Sequence, residues 1–181
     1  PESFAHDDYH GEEEDLPETI EGQGEIQALS TMTVDGAVWG SCSTTIVAGL
    51  TEQLIAELNC IRPGTMASIA GDQNITLGPA ASRWMQTSAA AALRRVAARG
   101  GGGLYITSSL RSIAQQYLLY RWQGVACGIG VAAPPGASNH NGGLAIDIGA
   151  YGSWRSLLQS EGWAWLGSWD PVHFDYIGGG I

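Results

Sequence analysis

Two short stretches of the chain hold the residue types of a reactive centre. In SNHNGGLAIDI, residues 138–148, His140 stands seven positions before Asp147. Leu144, Ile146 and Ile148 alternate as one face of a strand, which places Asp147 on the other. A carboxylate at a strand centre is costly unless it faces a cleft or a metal. Gly142 and Gly143 let the preceding loop fold back, so that His140 can approach that carboxylate. In WDPVHFDYI, residues 169–177, Val172, Phe174 and Tyr176 share one face while His173 and Asp175 share the other. Two imidazoles and one carboxylate leave a fourth zinc position open to water, the pattern of a catalytic site. Asp170, three residues before His173 and held extended by Pro171, is then placed as a general base.

Each of these residues alone has a plainer reading. A single His beside a strand is more often a hydrogen-bonded structural group, and Asp before Pro is a common turn signal. Asp175 reads as a surface group or as a partner of a ligand, not as a ligand itself. The case rests on the two stretches together.

The elements that must position them are short. A helix is expected over about Leu50–Asn59, where Leu50, Leu54, Ile55 and Leu58 fall at helical spacing. A longer helix is expected over about Ala81–Arg99, with Trp84, Met85, Ala92, Leu93 and Val96 facing inward, ended by Gly100–Gly103. Leu104–Ser109 reads as a strand. Ser108 or Ser109 would cap a helix over Arg111–Gln123. The glycine- and proline-rich loop 128–143 leads into a strand at Leu144–Gly149 and a helix at Ser153–Glu161. A last strand is expected at Pro171–Tyr176. Helices preceding and interleaving short strands, with no internal repeat, predict a compact α+β domain.

Composition narrows the function classes. The chain has 181 residues and a net charge of −10, and its eight basic residues are all Arg. Ten of its eighteen acids lie before Ile26, so the body from there on carries eight acids against eight bases. An acidic tail on a neutral body has no basic patch for nucleic acid. No apolar run is long enough to span a membrane. Residues 1–25 are acidic with few apolar anchors and read as a mobile tail, in which His6 and His10 could take up a metal weakly. Residues 26–181 read as the folded domain. No signal peptide is recognisable, and a chain beginning at Pro1 reads as a processed fragment whose targeting segment is missing.

Cys42, Cys60 and Cys127 form no CxxC pair and no zinc-finger spacing. They are either buried thiols or include one disulfide of an exported protein. The preferred pair is Cys42–Cys60, closing a loop of about 18 residues worth roughly 3 kcal/mol. Trp163, Trp165 and Trp169 precede the second stretch; they read as core residues, with a groove lining as the alternative.

The motif SxHxxGxAxD, here within APPGASNHNGGLAIDI, followed by (D/E)xxHF, here DPVHFDY, resembles the zinc D-Ala-D-Ala metallopeptidases. That group includes VanX- and VanY-type enzymes, L-alanyl-D-glutamate endolysins and, more distantly, the hedgehog signalling domain. ITSSLRSIAQQYLL is similar to the family's S-x-x-R-S…Q segment. The resemblance runs from about Ser108 to Tyr176 and implies helices packed on a small, mainly antiparallel sheet with a zinc cleft. It implies one zinc per chain on His140, Asp147 and His173, with Asp170 as catalytic base. Arg111 would polarise the scissile carbonyl or hold the substrate, and Ser138 would lie near the substrate backbone. Without the family, Arg111 reads as a helix-surface cation and Ser138 as a loop-capping hydroxyl. Many carboxypeptidase members carry Glu where this chain has Asp170, one methylene shorter, which leaves the scissile bond open.

The implied function is zinc-dependent hydrolysis of a peptidoglycan stem peptide at a D-amino acid, foremost a D-Ala-D-Ala carboxypeptidase, in an exported monomer. Asp170 would take a proton from the attacking water and return it to the leaving amine, with no covalent intermediate. Alternatives are an endopeptidase of the endolysin type, a cytoplasmic dipeptidase, or a non-catalytic zinc-containing binding module.

Overall fold

The computed structural model describes residues 32–178. The acidic segment 1–25, its two histidines and the domain boundary at residue 26 lie outside them. From Thr33 onward the chain forms one compact unit. No helix among the described residues is long and apolar enough to cross a membrane.

Among the described residues seven strands alternate with five helices: α1 Val34–Ala37, α2 Ala48–Ile61, β1 Met66–Ser68, β2 Ile75–Leu77, β3 Trp84–Gln86, α3 Thr87–Arg99, β4 Leu104–Ser108, α4 Ile113–Trp122, β5 Ala145–Ile148, α5 Tyr151–Ser160, β6 Trp163–Trp165 and β7 His173–Tyr176. Strands β1 and β3 pair on their own, and the other five form a sheet in the order β2-β4-β5-β7-β6. Only the β2–β4 pair is parallel. This is the expected α+β fold on a mainly antiparallel sheet.

The period-2 pattern of the strands separates two jobs. Ile106, Ile146, Ile148 and Phe174 are fully buried and pack with Ala89, Leu93, Val96 and Ala97 of α3 and with Trp154 and Leu158 of α5. Ile146 pairs with Phe174, and Asp147 with His173. One sheet face therefore belongs to the apolar core and the other to the polar residues. The alanine-rich sequence of α3 suits a helix. Its end follows from Gly101, Gly102 and Gly103, all at positive φ between 79° and 88°, where a Cβ would be strained.

Several local expectations are corrected. Trp84 and Met85 are not the start of a helix: Ser68, Ala67 and Met66 pair with Trp84, Met85 and Gln86, and α3 begins at Thr87. A short apolar run fits either period, and the partner strand decides. The cap of α4 is Ser112, in a reciprocal capping box with Gln115. Ser109 instead donates to the Ser82 carbonyl and Ser108 accepts from Arg111. Of the three tryptophans, Trp163 is buried, Trp165 is half-buried beneath Arg155, and Trp169 is 75% exposed and is not core.

The disulfide joins Cys42 to Cys127, and Cys60 is a free, exposed thiol near the end of α2. The Cys42–Cys60 expectation is wrong because proximity in sequence is not proximity in the fold. Cys42 precedes a 3-10 turn, Thr44–Val47, that packs on α4. There Val47, Leu118, Trp122, Ala37 and Val38 form a second core, flanked by Cys127 and Ile129. The bridge ties the first described segment to the turn after α4, closing an 85-residue separation and worth about 2–4 kcal/mol. Thiol titration of the unreduced protein is expected to find one reactive cysteine, Cys60, and a non-reducing peptide map a 42–127 linkage. A 42–60 peptide would overturn this arrangement.

Candidate active site

His140 sits in a 3-10 turn, Asn139–Gly142, closed by Gly143 in the left-handed region at φ 68°. The turn is strapped on both sides. Gln86 donates from its backbone to Gly143 O at 3.1 Å and from Nε2 to Gly142 O at 3.0 Å. Arg111 N–H donates to His140 O at 3.0 Å, and Asn141 Nδ2 returns a bond to Arg111 O at 2.8 Å. A side chain at 143 would be strained by that backbone and crowded, its Cβ 3.1 Å from Gln86 N and 3.1 Å from Leu110 Cδ1.

The turn buries His140 to 2% exposure. Its Nδ1 lies 2.6 Å from the Ser109 carbonyl, which can only accept, so Nδ1 carries the proton and Nε2 a lone pair. That Nε2 is buried without a hydrogen-bond partner, although Asp147 Oδ1 is 3.3 Å away. The distance allows an ion pair, but the alignment is not that of a hydrogen bond.

Asp147 and His173 face each other across the β5–β7 pair, with His173 Nδ1 at 2.9 Å from Asp147 Oδ1. The other ring nitrogen, Nε2, lies 2.9 Å from Asp175 Oδ1. One ligand atom from each of His140, Asp147 and His173 falls within 4.8 Å of the others. These are an imidazole lone pair, a carboxylate oxygen and an imidazole nitrogen, close enough together to share one ion. The donor set and the orphaned Nε2 fit a zinc ion.

The charges agree. Burial pushes the Asp147 carboxyl up, but the His140 and His173 imidazoles beside it and the Arg111 guanidinium outweigh it and hold it well below the usual carboxylate range. Burial pulls His173 down, but Asp147 and Asp175 outweigh it, and its pKa is raised. Burial lowers that of Arg111 against the opposing charges of Asp147 and Asp170.

Arg111 is not a helix-surface cation. Its Nη2 reaches Ser108 Oγ at 2.9 Å and Asp147 Oδ2 at 3.3 Å, and its Nη1 donates to Gln116 Oε1 at 3.1 Å. A β-bulge supplies Ser108: Ile106 opposes Ile148 but Ser108, not Thr107, opposes Asp147. The extra residue turns Ser108 onto the polar face. Asp170 lies in the turn before β7, where its carbonyl accepts from His173 N–H at 3.2 Å. Its carboxylate stands outside the three-atom group but acts on Arg111 through its charge. Ser138 is half-buried at the N-cap of the His140 turn, and its hydroxyl makes no capping bond.

Gln116, 1% exposed, is a member of the site that the sequence reading left without a role. It holds Arg111 through Oε1 and donates from Nε2 to Ala133 O at 2.8 Å. The signal was its place in the S-x-x-R-S…Q segment. Gln86 gave none, since it lay within an expected helix. Gly143→Ala is expected to cost about 1–3 kcal/mol, from the left-handed backbone and the crowded Cβ, read as a lower denaturation midpoint. An unchanged midpoint would refute this account of the turn.

Among solved structures, the chain is similar to that of the LdcB LD-carboxypeptidase, described there with its peptidoglycan recognition. The two share 20% identity over 64% of this chain and 69% of that one, with a TM-score of 0.47. No curated protein matches the chain. The VanY family of D-alanyl-D-alanine carboxypeptidases matches residues 82–178, more than half of the chain and a range that spans the His140 turn, Arg111 and both sheet residues. With that match over the whole of the convergent site, the chain belongs to the VanY D-alanyl-D-alanine carboxypeptidase family.

Proposed function

We propose that this protein is a zinc-dependent D,D-carboxypeptidase that removes the terminal D-Ala from peptidoglycan stem peptides. The observation that carries the reading is the convergence of His140, Asp147 and His173 beside a half-buried Arg111, within the segment that matches the family.

His140 Nε2, Asp147 Oδ1 and His173 Nδ1 are the atoms that would hold the ion. Bound there, zinc supplies Lewis acidity and brings the acidity of a coordinated water near neutral pH. Asp170 accepts the proton of the attacking water and later delivers it to the leaving amine. Arg111, anchored by Ser108 and Gln116, presents its remaining charge to the scissile carbonyl as the oxyanion develops. Its fixed geometry favours this role, because a guanidinium already held by its neighbours needs no reorganisation. Ser138 lies on the rim of the same turn, where its hydroxyl is available to a peptide backbone. The Cys42–Cys127 bridge and a cell-wall substrate both fit an extracytoplasmic location.

The test is mass spectrometry of muropeptides incubated with zinc-loaded protein, with a chelated control. Pentapeptide stems and cross-linked dimers are both offered. Zinc-dependent loss of one terminal alanine is expected, and opened cross-links would instead make the protein an endopeptidase. Asp170→Ala is expected to lower kcat by on the order of 10²–10⁴ while zinc content stays at that of the wild type. Intact muropeptides with zinc bound would leave a binding module, and zinc loss from Asp170→Ala would remove the residue from its assigned role.

A further inference from the structure

The side chain of Asp175 has one polar partner among the described residues, the Nε2 of His173 at 2.9 Å. No arginine pairs with it, although five other acids have arginine partners: Asp35, Glu52, Asp72, Asp147 and Glu161. It is 19% exposed, in the middle of β7. In register, Asp175 pairs with Ala145 on one side and Ala164 on the other. These neighbours have no polar group to offer and no bulk to push the carboxylate aside. A mostly buried carboxylate without a cation is a costly choice for a strand centre. This one spends its hydrogen-bonding capacity on a single imidazole nitrogen.

We propose that Asp175 is the positioning residue of the metal centre: by accepting a hydrogen bond from His173 Nε2 it fixes the tautomer and ring orientation that aim Nδ1 at the point shared with His140 Nε2 and Asp147 Oδ1. The inference rests on the zinc reading given above and deepens it.

The geometry makes the assignment specific. His173 and Asp175 stand two residues apart on one strand, so their side chains leave the sheet on the same face. With Asp175 accepting at Nε2, that nitrogen keeps its hydrogen and the ligating lone pair is confined to Nδ1. A flip of the ring about its Cβ–Cγ bond would put carbon where the Asp175 oxygen needs a donor, so the bond also selects one of two ring orientations. His140 is held in the complementary way, with Nδ1–H on the Ser109 carbonyl and Nε2 aimed inward. One histidine is thus oriented by a backbone carbonyl and the other by a carboxylate. The anionic partner makes His173 the more basic ligand.

Zinc affinity measured by chelator competition tests this directly, independently of turnover. Asp175→Ala is expected to weaken zinc binding by about 10–100-fold, while Asp175→Asn, whose amide oxygen can still accept from Nε2–H, recovers most of the loss. Thermal melts of the metal-free variants confirm that they are folded. Asp175→Ala binding zinc within about twofold of the wild type, or Asp175→Asn as weak as Asp175→Ala, would overturn the proposal. If Asp175→Ala does not fold, nitrogen-15 NMR of zinc-loaded wild type decides: a His173 ring protonated at Nε2 supports it, and one protonated at Nδ1 refutes it. Failure of the wild type to bind zinc would sink the metal reading itself. Tight binding that is indifferent to Asp175 sinks only this inference.

Discussion

Asp147 is a carboxylate near the centre of a five-stranded sheet, and an ion in that position has to be compensated locally or not be there. Burial alone would favour its neutral form, yet the surrounding groups hold it ionised. Two imidazoles approach one oxygen and a guanidinium the other. Each arrives from a different element: the His140 turn, strand β7, and the residue just ahead of the α4 cap. The compensation that makes the partly buried charge tolerable is the same set of groups that could hold a cation.

The rest of the architecture reads as the means of delivering those groups. Strand alternation places Asp147, His173 and Asp175 opposite the Ile146, Ile148 and Phe174 core. One bulge brings Ser108 to the same face. The His140 turn carries no strand pairing of its own, so its position depends on Gln86, Ser109 and Arg111. Strand β3 lies outside the main sheet, but through Gln86 it supports the loop that supplies the first candidate ligand.

A second set of contacts runs from the site to the periphery. Arg111 is held by Gln116, and Gln116 by the carbonyl of Ala133 in the proline-rich loop. The chain just before that loop is tethered by the Cys42–Cys127 bridge and by the small core around Trp122. Trp122 also donates from Nε1 to Val38 O at 2.7 Å, so α1 is tied to α4 as well. The arginine thus sits between a rigid sheet and a loop braced by a covalent link.

Much of this was legible in one dimension, because it depends on local rules. Period-2 alternation in LAIDI and VHFDY separates a core face from a polar face whatever the strands pair with, and glycines at 142 and 143 announce a tight turn. The SxHxxGxAxD and DxxHF motifs were enough to carry the family resemblance. What depended on distance through space was not legible. Cysteine pairing follows from which elements pack together, which is why Cys127 and not Cys60 meets Cys42. Trp84–Gln86 became a strand because β1 was there to pair with it. The tautomer of His140, the bulge at Ser108 and the bond from Gln116 to the Ala133 carbonyl likewise have no local signature. Each is settled by a partner that only folding brings within hydrogen-bonding distance.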